Sequence, residues 1–82
     1  MNKEWVLFHL KEALEEIDDT IKDIEGDPEY GDPEYSVAMT HLYHHINTAW
    51  NSRNSSDNET AESSEANFSK WRLLPTDVDM SC

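Results

Sequence analysis

The chain has 82 residues, 37% hydrophobic and 29% charged, and 18 acidic against 6 basic side chains give it a formal net charge of −12. A charge of that sign and size argues against nucleic acid and anionic membrane as partners, because binding either depends on cationic neutralisation of phosphates. The length allows at most one small domain, the one cysteine, Cys82, leaves no intramolecular disulfide to form, and no apolar run suits a signal peptide or a bilayer span. The expectation is a soluble, cytoplasmic protein without a cofactor.

Between Asn2 and Glu25 the apolar residues Leu7, Leu10, Leu14, Ile17, Ile21 and Ile24 recur at alternating intervals of three and four. That is the a/d pattern of a coiled-coil seam, and the interior holds no proline or glycine to interrupt a helix. Asn2 is placed to act as N-cap, with Glu4 in the first turn favourable to the helix dipole. Glu12, Glu15, Glu16, Asp19 and Asp23 form an acidic outer face, and Asp18 with Lys22 is the one well-oriented pair of opposite charge.

Residues 26–35 spell Gly-Asp-Pro-Glu-Tyr twice in tandem. Gly26 reads as a helix stop, closing the first helix in the left-handed conformation that glycine accepts. Asp32-Pro33 reads as a start, an N-cap carboxylate followed by proline at the first helical position. The carboxylates Asp27, Glu29, Asp32 and Glu34 could be taken for a cation site, but they lack the ligand spacing of an EF-hand, and two Asp-Pro turns explain the repeat better. The loop therefore spans 26–32 and sets a hairpin.

The second helix is predicted over about 33–53, with Tyr35, Met39, Leu42, Ile46 and Ala49 as its seam. In an antiparallel hairpin Ile21 then faces Met39, Ile17 faces Leu42, Leu14 faces Ile46 and Leu10 faces Ala49. One flank pairs Val6, Ala13 and Thr20 with Ser52, His45 and Ala38, small residues apart from His45. Trp5, Phe8, Tyr43 and Trp50 project beyond the seam. A lone hairpin cannot cover these aromatics, and a core this small needs a third element or a second copy. The fold class is thus an all-α, coiled-coil-like antiparallel hairpin over 1–53. It is expected to pair into a four-helix bundle as a homodimer through the small flank around Ala13 and Ala38, with Tyr43 and Trp50 partly buried.

Residues 54–67 form a polar, flexible linker, and 68–82 a short apolar tail segment in an otherwise disordered C-terminal region. Phe68, Trp71, Leu73, Leu74, Val78 and Met80 gather there, and Phe68, Trp71 and Leu74 share one helical face. This cluster reads as a linear peptide for another protein, with docking onto the hairpin as the alternative.

Histidine is the residue type that invites chemistry. His41 and His45 lie four apart on the second helix, the spacing by which a helix offers two ligands to a transition metal, with His44 beside them. The glutamate of a metalloprotease helix and the paired Glu-x-x-His of a di-iron bundle are both missing. A polar helix face is the plainer reading, with His41 and His45 as weak metal candidates. No nucleophile constellation or phosphate-binding glycine loop occurs, so the chain is not expected to be an enzyme. The expected function is a non-catalytic protein–protein interaction module for an unknown protein partner, acting through Trp5, Phe8, Tyr43, Trp50, Phe68, Trp71 and Leu74. The alternatives are an acidic mimic of nucleic acid bound by a basic partner, or a histidine-based metal-binding helical protein.

Overall fold

The computed structural model describes residues 1–61 and 65–77. They form α1 (Lys3–Gly26), α2 (Asp32–Asn51), α3 (Asp57–Ala61) and α4 (Glu65–Trp71). The long helices α1 and α2 pack together as the antiparallel hairpin expected from the sequence, α1 against α2 along most of their length and α4 against α2. No described helix is long and apolar enough to cross a membrane.

Local chemistry explains the helix ends. The Asn2 side chain accepts from the Trp5 backbone N–H at 3.3 Å, as an N-cap does, and Glu4 stands in the first turn. At the other end Gly26 is the last helical residue and does not turn left-handed. The cap is Asp27 in extended conformation, its N–H donating to the Asp23 carbonyl at 3.0 Å. The Asp27 side chain then accepts from the Glu29 N–H at 2.9 Å, an Asx turn that reverses the chain. The N-cap of α2 is Gly31, one residue earlier than expected, with Asp32 and Pro33 already inside the helix. The Glu34 carboxylate reaches back to accept from the Gly31 N–H at 2.9 Å, the half of a capping box open to a residue without a side chain. The first Gly-Asp-Pro-Glu-Tyr unit thus makes the turn and the second starts the helix.

The two helices meet along a line that differs from the expected seam on α1 and keeps Met39, Leu42 and Ala49 of it on α2. On α1 the sequestered series is Val6, His9, Ala13, Glu16 and Thr20, continued outward by the N-cap Asn2, and on α2 it is Ala38, Leu42, His45 and Ala49, continued by the C-cap Ser52. Each α1 member precedes the expected seam residue by one. Leu7, Leu10, Leu14, Ile17, Ile21 and Ile24 are left exposed, as are Tyr35 and Ile46 opposite them. The small flank around Ala13 and Ala38, expected to receive a second chain, is instead the contact within this one: Ala13 is 5% exposed. It cannot serve self-association while the hairpin is closed.

Polar pairing and small side chains account for this phase. The Trp5 indole N–H donates to Ser52 Oγ at 2.7 Å, and Ser52 Oγ passes a hydrogen bond on to the Thr48 carbonyl. The Asn2 backbone N–H donates to the Arg53 carbonyl at 2.6 Å, closing the open end of the hairpin, and the Asn2 side chain donates to the Ser55 carbonyl at 3.2 Å. Ala13, Ala49, Thr48 and Ser52 let the helices approach closely enough for these bonds to form. The cost is a thin core, because the buried apolar side chains among the described residues are Ala13, Ala49 and Trp71. The radius of gyration, 14.5 Å, exceeds the roughly 12 Å of a compact chain of this length, consistent with a two-helix layer covered at one end.

Candidate functional surfaces

Three groups of side chains emerge from this frame. The first is the aromatic cluster at the open end. Trp71, 6% exposed, reaches from the end of α4 to an edge-on contact with Trp5, their ring centroids 6.0 Å apart. Phe8 stacks on Trp5 with ring centroids 6.1 Å apart and is itself half-exposed, and His9 meets Trp5 edge-on at 4.5 Å. Two asparagines of α2 hold Trp71 in place. Asn51 Nδ2 donates to the Trp71 and Leu73 carbonyls at 2.8 and 2.7 Å, and Asn47 Nδ2 to the Arg72 carbonyl at 2.9 Å. They satisfy the last carbonyl of α4 and the two that follow it, none of which has a partner in a helix that stops at Trp71. The Trp71 part of the tail therefore docks on its own hairpin and is not displayed as a free peptide.

Trp50 belongs to a second group. Its indole N–H donates to Asp77 Oδ1 at 2.7 Å, and the Arg53 guanidinium lies over its ring at 3.9 Å and 3.5 Å from Asp77. The hydrogen bond from Trp50 holds the Asp77 carboxyl below the usual carboxylate range. Tyr43 and Leu74 are exposed and line a shallow groove with Thr40, His44, Asn47, Arg72 and Leu73, of about 830 Å³. The Phe68 side chain, Val78, Met80 and Cys82 lie outside the described residues.

The histidines form the third group, and they pair across the hairpin. His9 Nδ1 and His45 Nδ1 are 3.1 Å apart, so one ring donates to the other. His9 Nε2 is buried without a partner. Donation from His9 leaves a lone pair unmet at that position, whereas donation from His45 would strand an N–H there, the costlier choice. Burial, reinforced by His45, pushes the His9 imidazole down to about 4. Burial also lowers His44. His41 is exposed and His45 is engaged with His9, a partner that the His41/His45 spacing does not suggest. Among the described residues no group of three or more His, Cys, Asp or Glu side chains could hold a metal ion.

The loop end carries carboxylates without a converging ligand set. Glu16, Asp19, Asp23, Asp27 and Glu34 surround a hollow of about 480 Å³ beside Tyr30, whose hydroxyl is buried without a partner. Burial, followed by the charges of Asp23 and Glu34, raises the Tyr30 phenol. The Asp18–Lys22 pair is present at 2.8 Å and solvent-exposed.

Sequence reasoning did not anticipate that the expected seam of α1 would itself be left on the surface. Leu7, Leu10, Leu14, Ile17, Ile21 and Ile24 of α1, with Tyr35 and Ile46 of α2, are between 40% and 66% exposed. The signal was available in the series one position earlier, where Val6, Ala13 and Thr20 offer a second stripe at the same spacing. No protein family matches this chain, and no similarity to a curated protein or a solved structure was found.

Proposed function

We infer that this protein is a non-catalytic protein–protein interaction module, and that its binding surface is the bare aliphatic face of the hairpin. The observation that carries the reading is the row from Leu7 to Ile24, six aliphatic side chains at coiled-coil spacing and all exposed. Monomeric proteins rarely leave a contiguous apolar patch of several hundred Å², and those that do use it for binding. The aromatics Trp5 and Trp71, first candidates for that role, are engaged with one another, and Trp50 with Arg53 and Asp77. Their part in the reading is to secure the tail, leaving Phe8, Tyr43 and Leu74 as the exposed aromatic and aliphatic edge. The charge of −12 and the lone cysteine support a soluble, cytoplasmic setting.

Photo-crosslinking in the cell of origin tests this. A benzophenone side chain at Leu14 is expected to give discrete protein adducts, and the same probe at Asp19 on the acidic side is not. Adducts from Asp19 with none from Leu14 would overturn the reading and favour an acidic mimic held by a basic partner.

A further inference from the structure

Three parallel stripes run along the hairpin, and each has a different fate. The contact series (Val6, His9, Ala13, Glu16, Thr20 from α1; Ala38, Leu42, His45, Ala49 and the capping Ser52 from α2), buried at Ala13, Ala49 and Ser52 and half-buried elsewhere, joins the helices. One residue earlier, on one side of that line, stand Trp5, Thr48 and Asn51, the side on which Trp71 docks, together with Glu12, Glu15 and Asp19. One residue later, on the other side, stand Leu7, Leu10, Leu14, Ile17 and Ile21 of α1, and Met39, Tyr43, Ile46 and Trp50 of α2 followed by Arg53, the last two bonded to Asp77 at the edge of that side. A step of one residue turns a helix by about 100°, and in antiparallel helices the same step carries both faces to the same side of the layer. The aliphatic residues of α1 and Ile46 of α2 therefore share one apolar surface on the side away from Trp71, with the Asp77 end of the tail reaching its α2 edge at Trp50 and Arg53.

We propose that a second copy of this chain covers that surface, two hairpins meeting face to face as a four-helix bundle. The proposal rests on the reading of this face as the binding surface and names its occupant. Area supports it first. With Ile24 and Tyr35 added, the eight side chains of this face, about half-exposed, leave on the order of 800 Å², the share that one partner contributes to a standard interface of about 1,600 Å². Periodicity supports it next, because alternating steps of three and four are what packing against further helices at shallow angles requires.

Charge supplies the third argument. The apolar row itself carries no charged residue, so it offers nothing to select a charged partner. Its outer border holds Lys11 and Lys22 together with Asp18, a mixed rim that a two-fold mate can meet without one-sided repulsion. Glu12 and Asp19 lie on the tail side of α1. Face-to-face pairing directs them outward, and two chains of net charge −12 can meet where their repulsion is weakest.

The test uses the wild-type chain. Sedimentation equilibrium across the micromolar range is expected to give twice the 9.5 kDa chain mass. Isotope-filtered NOEs between labelled and unlabelled chains are expected at the methyls of Leu10, Leu14, Ile17 and Ile21. Replacement of Leu14 and Ile21 by Glu is expected to halve the mass, while Glu12→Gln with Asp19→Asn leaves it unchanged. A dimer with its intermolecular NOEs elsewhere overturns the proposal. So does a monomer at every concentration, and a paramagnetic co-solute then separates the two levels of the claim. Seam methyls broadened by it leave a binding face with a different occupant. Seam methyls protected from it overturn the binding-face reading as well.

Discussion

Ser52 shows how much of this fold rests on single polar side chains. At 2% exposure its hydroxyl accepts from the Trp5 indole and donates to the Thr48 carbonyl, linking the start of α1 to the last turn of α2. Ser52→Ala removes the acceptor and leaves the indole N–H without a partner, which costs about 1–3 kcal/mol. The expected result is that loss in urea unfolding followed by circular dichroism, with Ser55→Ala, which gives up a bond to the Ser52 carbonyl in a less buried place, costing less. His9 provides a residue-scale prediction about pH. Unfolded, its imidazole takes up a proton near 6.5; folded, burial and His45 delay this to about 4. Between those values the unfolded chain binds more protons, so this contribution to stability is complete above 6.5 and is lost as pH falls toward 4. Because the ring is only half-buried, solvent screening reduces the effect to about 1–2 kcal/mol. The difference between wild type and His9→Asn, followed by chemical denaturation from pH 7 to pH 4, isolates it from the titrating carboxylates. Wild type should lose more stability than the variant over that range, and parallel curves would contradict the assignment.

Among the helices, α4 has seven residues, too few to persist alone, and depends on what α2 offers it. Asn47 and Asn51, one turn apart, accept the task of ending it by donating to the Trp71, Arg72 and Leu73 carbonyls. Asn51→Ala withdraws two of these three bonds. Tryptophan emission is expected to shift to longer wavelength and acrylamide quenching to increase, while Leu74→Ala at an exposed position changes neither. At this scale the helices themselves were legible, because capping residues, the proline-bearing turn and unbroken helical spacing all agree. The docked tail was not. Its attachment depends on amide side chains meeting carbonyl groups across twenty residues of sequence, and hydrophobic periodicity carries no trace of that. The phase of the hairpin was misread for a related reason. Two stripes of heptad spacing lie one residue apart on α1, and greater hydrophobicity points to Leu7, Leu10 and Leu14. Small size and hydrogen bonding at Ala13, Ala49, Ser52 and the His9–His45 pair favour the other, and they prevail inside the chain. For the same reason the His41/His45 spacing pointed along one helix, when the partner of His45 comes from the other.

Among the described residues the chain is a layer with two unlike sides, Trp71 and many of the carboxylates on one and the aliphatic row on the other. Net repulsion between chains of charge −12 opposes association, and added salt screens it. Self-association is accordingly expected to strengthen between low and physiological salt, measured by light scattering. An acidic mimic seated on a basic partner would weaken over the same interval. Adjacent residues of α1 test the central claim most directly, because Ala13 is buried between the helices and Leu14 is 66% exposed beside them. Thermal melts of Ala13→Glu and Leu14→Glu, followed by circular dichroism at dilutions where wild type is monomeric, separate the two phases. The expected result is that Ala13→Glu abolishes the cooperative melt and Leu14→Glu keeps it near wild type. The opposite order would contradict the account and return Leu14 to the interior of the hairpin.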